Sequence, residues 1–369
     1  MIRRSLAVLA TVLAYSAPAS AQAPSYDGIY FVPGLRDSPS RFYQTVPALQ
    51  ARGLDLKAWW WLGLSTTATL ATQAGELSSL RNSNLWFSDS TILVGHSMGG
   101  LTSRRSYLDT PAGVAGIVTV GTPHQGAPVT VGGRRFARHM GTVVARTARG
   151  FLGWLTFGAI AGPVARGTLQ TAASDQGLLS TYVSNRIADQ SGYSTPAAGD
   201  LRPTSTAIQQ LNAARADGGL PRATVLGEIP YRNAVWYVLA SAGLDQGRTA
   251  NAYIGARTFV KSYAKTCKHV AYATIVFWAQ GRECAKLDRA ISQIDNEYLG
   301  AVNGRAPSGR PLLGAFDGFV PASHSVYPST VPVQTFTAQG ANHNNLTYAL
   351  AGVAELDRAL VAVGVKRIQ

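Results

Sequence analysis

Short apolar runs alternate with amphipathic segments along most of the chain. The apolar runs predict buried strands at 28–32, 54–62, 91–94, 114–120, 223–229 and 331–337. Apolar positions at helical spacing predict helices at 40–52, 69–81, 101–108, 284–298 and 346–360. Strands that alternate with helices favour a parallel sheet that is covered on both faces. The pattern therefore predicts an α/β fold with a mostly parallel central sheet flanked by helices.

The sequence GHSMGG at 95–100 lies between a predicted strand and a predicted helix. A strand, G-x-S-x-G and a helix in this order are the context of a nucleophile elbow, a sharp turn that lifts a serine hydroxyl above the sheet. Gly95 and Gly99 would let the strand and the helix approach closely, and the N–H of Met98 would point toward developing negative charge. Ser97 is therefore the candidate nucleophile, and the alternative is an ordinary Gly-rich turn.

A second motif, GTPHQG at 121–126, follows the next predicted strand. Together, GHSMGG and GTPHQG resemble the secreted bacterial lipases and esterases of the α/β-hydrolase superfamily. The resemblance covers about residues 25–128 and 310–362, and it implies an α/β-hydrolase fold and the cleavage of carboxylic esters. In that family the histidine of the second motif, His124 here, belongs to a loop that borders the site.

An elbow serine needs a histidine that takes its proton and a carboxylate that orients this histidine. The resemblance implies the chain order serine, acid, histidine. The sequence DGFVP at 317–321 resembles the family segment whose aspartate is the acid. His343 lies between the last predicted strand and the last predicted helix, where the superfamily has its base. The implied catalytic residues are therefore Ser97, Asp317 and His343.

Each implied partner of the serine has an ordinary structural alternative. Asp317 would otherwise form an Asp-Gly turn, and His343 would otherwise be a loop residue before the last helix. His324 lies only seven residues after Asp317, with no room for a strand between them, and is expected in a loop or at the rim of the site. Rival acids, which lack the DGFVP context, are Asp200, Glu228 and Asp245.

The loop after the predicted strand 28–32 is the expected source of a second oxyanion donor. The resembling superfamily usually carries a His-Gly pair here, and this chain has Pro33 in place of the histidine. Because proline has no N–H, the donor would be the N–H of Leu35, with that of Arg36 as the weaker candidate. A plain turn is the alternative. The expected oxyanion hole therefore consists of the backbone N–H groups of Met98 and Leu35.

The N-terminus has the pattern of a secretory signal peptide, predicted at 1–21. Two arginines precede an apolar run at 6–14, and Ala-Ser-Ala at 19–21 offers an A-x-A cleavage site. Cleavage after Ala21 would leave 22–369 as a single secreted or periplasmic domain. An uncleaved anchor is the alternative, but the apolar run is short for crossing a bilayer.

Cys267 and Cys284 are the two cysteines of the chain. In an exported protein a disulfide between them is favoured over two free thiols or a metal site. Metal-ligand spacings such as C-x-x-C or H-E-x-x-H do not occur in the sequence. The predicted chemistry needs neither a metal nor a cofactor.

Two stretches depart from the alternation of strands and helices. The first, about 129–221, contains an uncharged, mostly apolar run at 150–163 that fits a core helix, a membrane-surface element or a mobile lid. The resemblance implies a lid or cap at this position. The second stretch, about 230–300, has a mostly helical pattern and contains both cysteines.

The formal net charge of +14 does not by itself identify a partner. The arginines are scattered, apart from a concentration between 134 and 149, and no aromatic-interleaved basic motif of a nucleic-acid module is present. Adsorption to anionic surfaces is therefore favoured over nucleic-acid binding. The expected partners are a lipid or ester substrate and, transiently, a lipid interface.

These features predict a secreted serine hydrolase that cleaves carboxylic esters, with acyl lipids as the favoured substrates. The first alternative is related acyl chemistry on the same residues, namely acyl transfer, thioester or amide hydrolysis, or polyester depolymerisation. The second alternative is a non-catalytic protein that binds lipids or surfaces. The presence of all three implied catalytic residues favours an enzyme.

Overall fold

The computed structural model describes residues 26–83, 90–133, 135–136, 138–140, 142–143, 195–214, 219–229, 258–269, 278–302, 315–329 and 331–368. The predicted signal peptide at 1–21 and the apolar run at 150–163 lie outside these residues. Most of the predicted insertion at 129–221 also lies outside them.

Six parallel strands form one central sheet in the described part of the chain. They are β1 (Gly28–Val32), β2 (Ala58–Trp61), β3 (Thr91–His96), β4 (Val114–Val120), β5 (Arg222–Glu228) and β6 (Gln334–Gln339). Their order across the sheet is β2-β1-β3-β4-β5-β6, so β3 is flanked by β1 and β4. The prediction of an α/β fold with a mostly parallel sheet is confirmed.

Two strands begin later than the apolar pattern predicts. β2 starts at Ala58 rather than at Leu54, which instead forms an isolated antiparallel bridge to Arg367 near the C-terminus. β6 starts at Gln334 rather than at 331. Apolar runs of this kind mark a buried segment, but the ends of a strand depend on which neighbour pairs with it.

Helices occupy most of the segments between the strands. They are α1 (Thr45–Ala51), α2 (Leu70–Ser83), α3 (Met98–Asp109), α4 (Pro196–Asp200), α5 (Thr206–Ala213), α6 (Trp278–Ser292), α7 (Ile294–Val302), α8 (Ala322–Ser325) and α9 (Leu350–Ala362), with a 3-10 turn at Pro39–Phe42 and further helical residues at 129–133, 135–136, 138–140, 142–143 and 258–269. None of the helices formed by described residues is long and apolar enough to span a bilayer.

Three of the predicted helices are interrupted or shortened. The predicted helix 284–298 is divided at residue 293 between α6 and α7. The predicted helix 40–52 divides into the 3-10 turn Pro39–Phe42 and α1. Pro47 has no N–H and is tolerated only in the first turn of a helix, so α1 must begin shortly before it. The last helix begins at Leu350, later than predicted, since its N-cap residue Ala349 has an extended backbone, with φ −66° and ψ +147°.

The sheet is packed between two helical layers. Ile29 and Phe31 point to the face that is covered by α1 and α9, whereas Tyr30 and Val32 point to the face that is covered by α2 and α3. All four side chains are at most 1% exposed. Burial of each such side chain contributes about 1.5–3 kcal/mol. Strands that are buried on both faces explain the uninterrupted apolar runs in the sequence.

The two stretches that depart from the alternating pattern contact each other. Phe136 packs edge-on against Tyr298 of α7, with ring centroids 5.0 Å apart, within an apolar cluster built largely from α6 and α7. Cys267 and Cys284 form the predicted disulfide, which joins helical residues 258–269 to α6. In the chain-entropy model a loop of this length contributes about 3 kcal/mol. The described parts of both stretches are mostly helical.

Candidate active site

Ser97 occupies a sharp turn between β3 and α3. Its backbone has φ +54° and ψ −124°, and its N–H donates to the Val120 carbonyl at 2.8 Å. A non-glycine residue in this region is strained by about 1–3 kcal/mol, and such strain persists only where the surroundings impose it. Ser97 therefore has the backbone of a nucleophile elbow, at the carboxyl end of an interior strand.

Gly95 and Gly99 lie where the strand and the helix come closest. A Cβ on Gly95 would overlap the backbone of Gly100, and a Cβ on Gly99 would overlap the Val32 carbonyl at the end of β1. Neither obstacle is a flexible side-chain end, so any larger residue would push α3 away from the sheet. The two glycines permit the close approach that the elbow turn requires.

The structure brings Ser97, His343 and Asp317 together from distant parts of the chain. The distance from His343 Nε2 to Ser97 Oγ is 2.8 Å, and the distance from His343 Nδ1 to Asp317 Oδ2 is 2.7 Å. His343 lies in the turn after β6, and its own N–H donates to the Asp317 carbonyl at 2.7 Å. All three side chains are buried. They form a continuous hydrogen-bonded relay.

The Asp317 carboxylate is oriented by its own loop. Its Oδ1 accepts the N–H groups of Phe319 and Val320 at 2.9 and 2.7 Å, so Oδ2 is the oxygen that faces His343. Gly318, with φ +100°, allows this tight turn. Because a carboxylate only accepts hydrogen bonds, His343 carries its proton on Nδ1, and Nε2 is free to accept the Ser97 hydroxyl proton.

Gly121 packs against the Asp–His pair, which the sequence motif GTPHQG did not reveal. Its backbone has φ +58°, and a Cβ there would lie 3.1 Å from both Asp317 Oδ2 and His343 Nδ1. A glycine directly after a buried strand does not by itself distinguish this position from an ordinary turn. Gly121 leaves room for the hydrogen bond between the acid and the base.

We expect Gly121→Ala to lower turnover by about 10- to 100-fold, since a displacement near 1 Å of a reacting group costs about this much. Gly53→Ala is the matched control, because Gly53 has φ +80° and a Cβ there would have no neighbouring atom within 4 Å. Both variants should lose about 1–2 kcal/mol of stability from backbone strain. Equal turnover of the two variants, measured on a soluble ester, would contradict this role of Gly121.

The segment after β1 lies beside the nucleophile. A Cβ on Gly34 would lie 2.8 Å from Ser97 Cβ, so the peptide that follows, with the Leu35 N–H, borders the serine. The Arg36 N–H donates instead to the Thr66 carbonyl at 3.4 Å. Met98 is the first residue of α3, where N–H groups have no acceptor within the helix. This arrangement favours Leu35 over Arg36 as the partner of Met98 in an oxyanion hole.

The side chains of Leu35 and Met98 share one apolar cluster. It includes Leu70 of α2 and Leu201 and Ile208 from the segment that carries α4 and α5. The carboxylate of Asp200, one of the rival acids, accepts the Leu70 N–H at 2.7 Å and so caps α2. Residues 195–214, the described end of the 129–221 stretch, therefore pack against the side chains of the two candidate oxyanion residues.

The other histidines and acids near the sheet have structural partners. His124 is fully buried, 3.2 Å from Arg104 Nη1 and 3.1 Å from Thr119 Oγ1. His324 lies in α8, with its ring 3.3 Å from the Ser323 hydroxyl. Glu228 accepts a hydrogen bond from the Gln339 side chain. Asp245 lies outside the described residues.

Two buried histidines should make the fold sensitive to acid. Burial, and then the charge of Arg104, hold the pKa of His124 well below its usual value of 6.5. Burial also lowers the pKa of His96, against the opposing influence of the Asp37 carboxylate beside it. Below pH 6.5 the unfolded chain takes up protons that the folded chain does not. The free energy of unfolding should therefore fall as the pH drops, by up to about 1.4 kcal/mol per pH unit for each histidine.

Urea unfolding between pH 7.5 and 5 measures this slope. The variant His124→Gln should flatten it by up to about 1.4 kcal/mol per pH unit, because one proton-binding group is removed. The exposed His269 provides the control variant, His269→Gln. An identical slope in the unmodified protein and in His124→Gln would exclude His124 as a source of the acid sensitivity.

No cluster of three or more His, Cys, Asp or Glu side chains among the described residues could hold a metal ion. The polar groups around Ser97 instead pair with one another through the relay to Asp317. The arrangement can deprotonate a hydroxyl, hold the resulting imidazolium beside a carboxylate and present N–H groups to an oxyanion.

Comparison with known proteins finds one family model and several similar solved structures. The model of the PGAP1-like alpha/beta domain family matches residues 72–148, which include most of α2, all of β3, α3 and β4, and the segment that follows β4. No curated protein matches the chain. Solved structures that are similar include the mature form of the Bacillus licheniformis lipase BlEst2, at 14% identity over 95% of this chain and 96% of that chain, with a TM-score of 0.47.

Lipase 1 from Pelosinus fermentans is also similar, at 14% identity over 93% of this chain and 100% of that chain, with a TM-score of 0.46. The strand order and the elbow after β3 are those of the α/β-hydrolase fold, as predicted. An identity of 14% does not assign a reaction to this chain, so its function depends on the residues of the site itself.

Proposed function

We propose that this protein is a serine hydrolase that cleaves carboxylic esters. The relay from Asp317 through His343 to Ser97, with distances of 2.7 and 2.8 Å, carries this proposal. A serine hydroxyl is almost wholly protonated at neutral pH and becomes a nucleophile only when an adjacent base takes its proton. The strained elbow and the flanking N–H groups of Met98 and Leu35 support the same chemistry.

Ser97 Oγ attacks the ester carbonyl carbon while His343 Nε2 takes the hydroxyl proton. Asp317 stabilises the imidazolium without taking up a proton itself. The N–H groups of Met98 and Leu35 donate to the tetrahedral oxyanion, and each such donor is worth about 10²–10³ in turnover. His343 then gives its proton to the leaving alcohol. Water repeats the sequence on the acyl-enzyme and releases the carboxylic acid.

Acyl lipids are the substrate class that we propose. The sequence contains an uncharged apolar run at 150–163 within the proposed lid or cap, which suits an apolar acyl chain. The basic net charge favours transient contact with an anionic lipid interface. The proposed signal peptide at 1–21 and the Cys267–Cys284 disulfide suit a secreted or periplasmic enzyme.

Covalent labelling tests the assignment of the nucleophile. The purified protein is treated with a fluorophosphonate probe, which reacts with activated serines, and the labelled peptide is identified by mass spectrometry. We expect one adduct, on Ser97. Labelling of a different residue, or an unlabelled protein that nonetheless hydrolyses esters, would overturn the proposal.

A substrate panel separates ester hydrolysis of lipids from related acyl chemistry. We expect turnover of p-nitrophenyl esters of graded chain length and of a triglyceride emulsion. Preference for a soluble short-chain ester over the emulsion would make the protein an esterase rather than a lipase. Turnover of thioesters, amides or acyl acceptors above that of all esters would replace the proposed reaction.

A further inference from the structure

Two consecutive carbonyls of the loop that carries the base are held by side chains from distant elements. His96, the residue before the elbow serine, has its Nε2 2.9 Å from the His343 carbonyl oxygen. Arg41, in the 3-10 turn after β1, donates from Nη1 to the Asn344 carbonyl. These contacts fix the backbone of the base itself and of the residue that follows it.

Asp37 joins these two side chains. Its Oδ2 is 2.6 Å from Arg41 Nε and 3.3 Å from His96 Nδ1. The Asp37 N–H donates to the Gly34 carbonyl at 3.1 Å, so Asp37 belongs to the same turn as Leu35. One carboxylate therefore connects the candidate oxyanion segment, the elbow and the loop of the base.

The charges in this network are held in place by burial and by one another. Burial opposes ionisation of Asp37, but the neighbouring His96 and the charge and hydrogen bond of Arg41 outweigh it and hold the pKa of Asp37 well below its usual range. Asp37 is therefore an anion at neutral pH. Burial lowers the pKa of His96, so its ring is neutral and carries one proton. Because the His343 carbonyl only accepts hydrogen bonds, that proton is on Nε2, and Nδ1 lies beside Asp37 without donating to it.

We propose that Asp37, His96 and Arg41 are positioning residues that hold His343 in line with Ser97 and with the oxyanion segment. This inference rests on the proposed function. The Asn342 side chain and the Asp317 carbonyl hold the N–H side of the base loop, and the network holds its carbonyl side. A base that drifts by about 1 Å loses about 10²-fold in rate, so both sides have to be held.

Asp37→Asn tests the network at its centre. The amide keeps the shape of the carboxylate but loses the charge that holds Arg41. We expect kcat on a soluble ester to fall about 10- to 100-fold with KM changed less than about threefold, because the network aligns reacting groups and does not touch the substrate. Asp109→Asn is the matched control, since Asp109 forms the same kind of i,i+4 pair with Arg105 on the outside of α3. It should leave kcat unchanged.

His96 gives a second pair of variants, which decides the question even where Asp37→Asn does not fold. His96→Gln keeps a side-chain N–H near the position of Nε2 and should retain more kcat than His96→Leu, which removes it. Equal kcat in the two variants would overturn the role of the hydrogen bond to the His343 carbonyl.

The NMR signal of the His343 Nδ1–H reports on the alignment of the base. A loss of stability without loss of this alignment would not change the signal. The Nδ1–H of His343, in a 2.7 Å hydrogen bond to Asp317, should give a sharp downfield signal in the unmodified protein and in Asp109→Asn. In Asp37→Asn the signal should broaden or shift. An unchanged signal and unchanged kcat in Asp37→Asn, with Ser97→Ala inactive, would overturn the network alone. Full activity of Ser97→Ala would instead overturn the proposed function.

Discussion

Ser97→Ala should lower ester turnover by about 10⁴-fold or more, because the relay then has no oxygen from which to transfer a proton. His343 and Asp317 would keep their 2.7 Å hydrogen bond, and the N–H groups of Met98 and Leu35 would still bind the substrate carbonyl. KM should therefore change little. Initial rates on a soluble p-nitrophenyl ester measure the loss, and the fluorophosphonate adduct should disappear with it.

Ser78→Ala is the matched control for this variant. Ser78 has the same exposed fraction as Ser97, 9%, and its hydroxyl also forms a hydrogen bond of 2.8 Å, to the Ser106 hydroxyl. Its loss should cost about 1 kcal/mol of stability and leave turnover within about twofold. Retention of ester hydrolysis in purified Ser97→Ala would remove the serine from the mechanism.

Asp317→Asn should lower turnover by a comparable factor, about 10⁴-fold, although the side chain keeps its shape. Phe319 and Val320 donate to Oδ1, which forces the oxygen of the new amide into that position. The amide nitrogen then faces His343 Nδ1 and donates to it. The imidazole proton moves to Nε2, where the ring can no longer accept the proton of Ser97.

Asp357→Asn separates this effect from the loss of any buried carboxylate. Asp357 and Asp317 are both 2% exposed, but Asp357 lies on α9 and pairs with Arg52 and Arg367. Its replacement should lower the free energy of unfolding by about 1.5–3 kcal/mol, measured by urea titration, with turnover unchanged. Equal turnover in Asp317→Asn and Asp357→Asn would remove Asp317 from the relay.

The sheet was predictable from the sequence because its strands are buried on both faces. The runs at 28–32 and 114–120 became β1 and β4 without any change of bounds. Helix ends were less predictable, since they depend on single residues such as Pro47, which lacks an N–H, and Ala349, whose backbone is extended, and periodicity registers neither. The same limit applies to the start of β2, which depends on its pairing partner.

The sequence by itself determined the features that depend only on residues close to one another along the chain. The close approach of Gly95 to Gly100 at the elbow and the Asp-Gly turn at Asp317 both follow from local sterics and local hydrogen bonds. For this reason GHSMGG and DGFVP were recognisable as motifs, with the resemblance implying which residues act together.

Only the tertiary structure decided which distant groups meet. Ser97 and His343 are 246 positions apart, and Asp37 and His96 are 59 apart, yet the side chains of both pairs are in direct contact. Parallel strands bring their carboxyl ends to one edge of the sheet, and that shared edge assembles side chains that no sequence spacing relates. The clearance at Gly121 and the network around Asp37 exist because six strands end there together, and no local pattern in the chain records it.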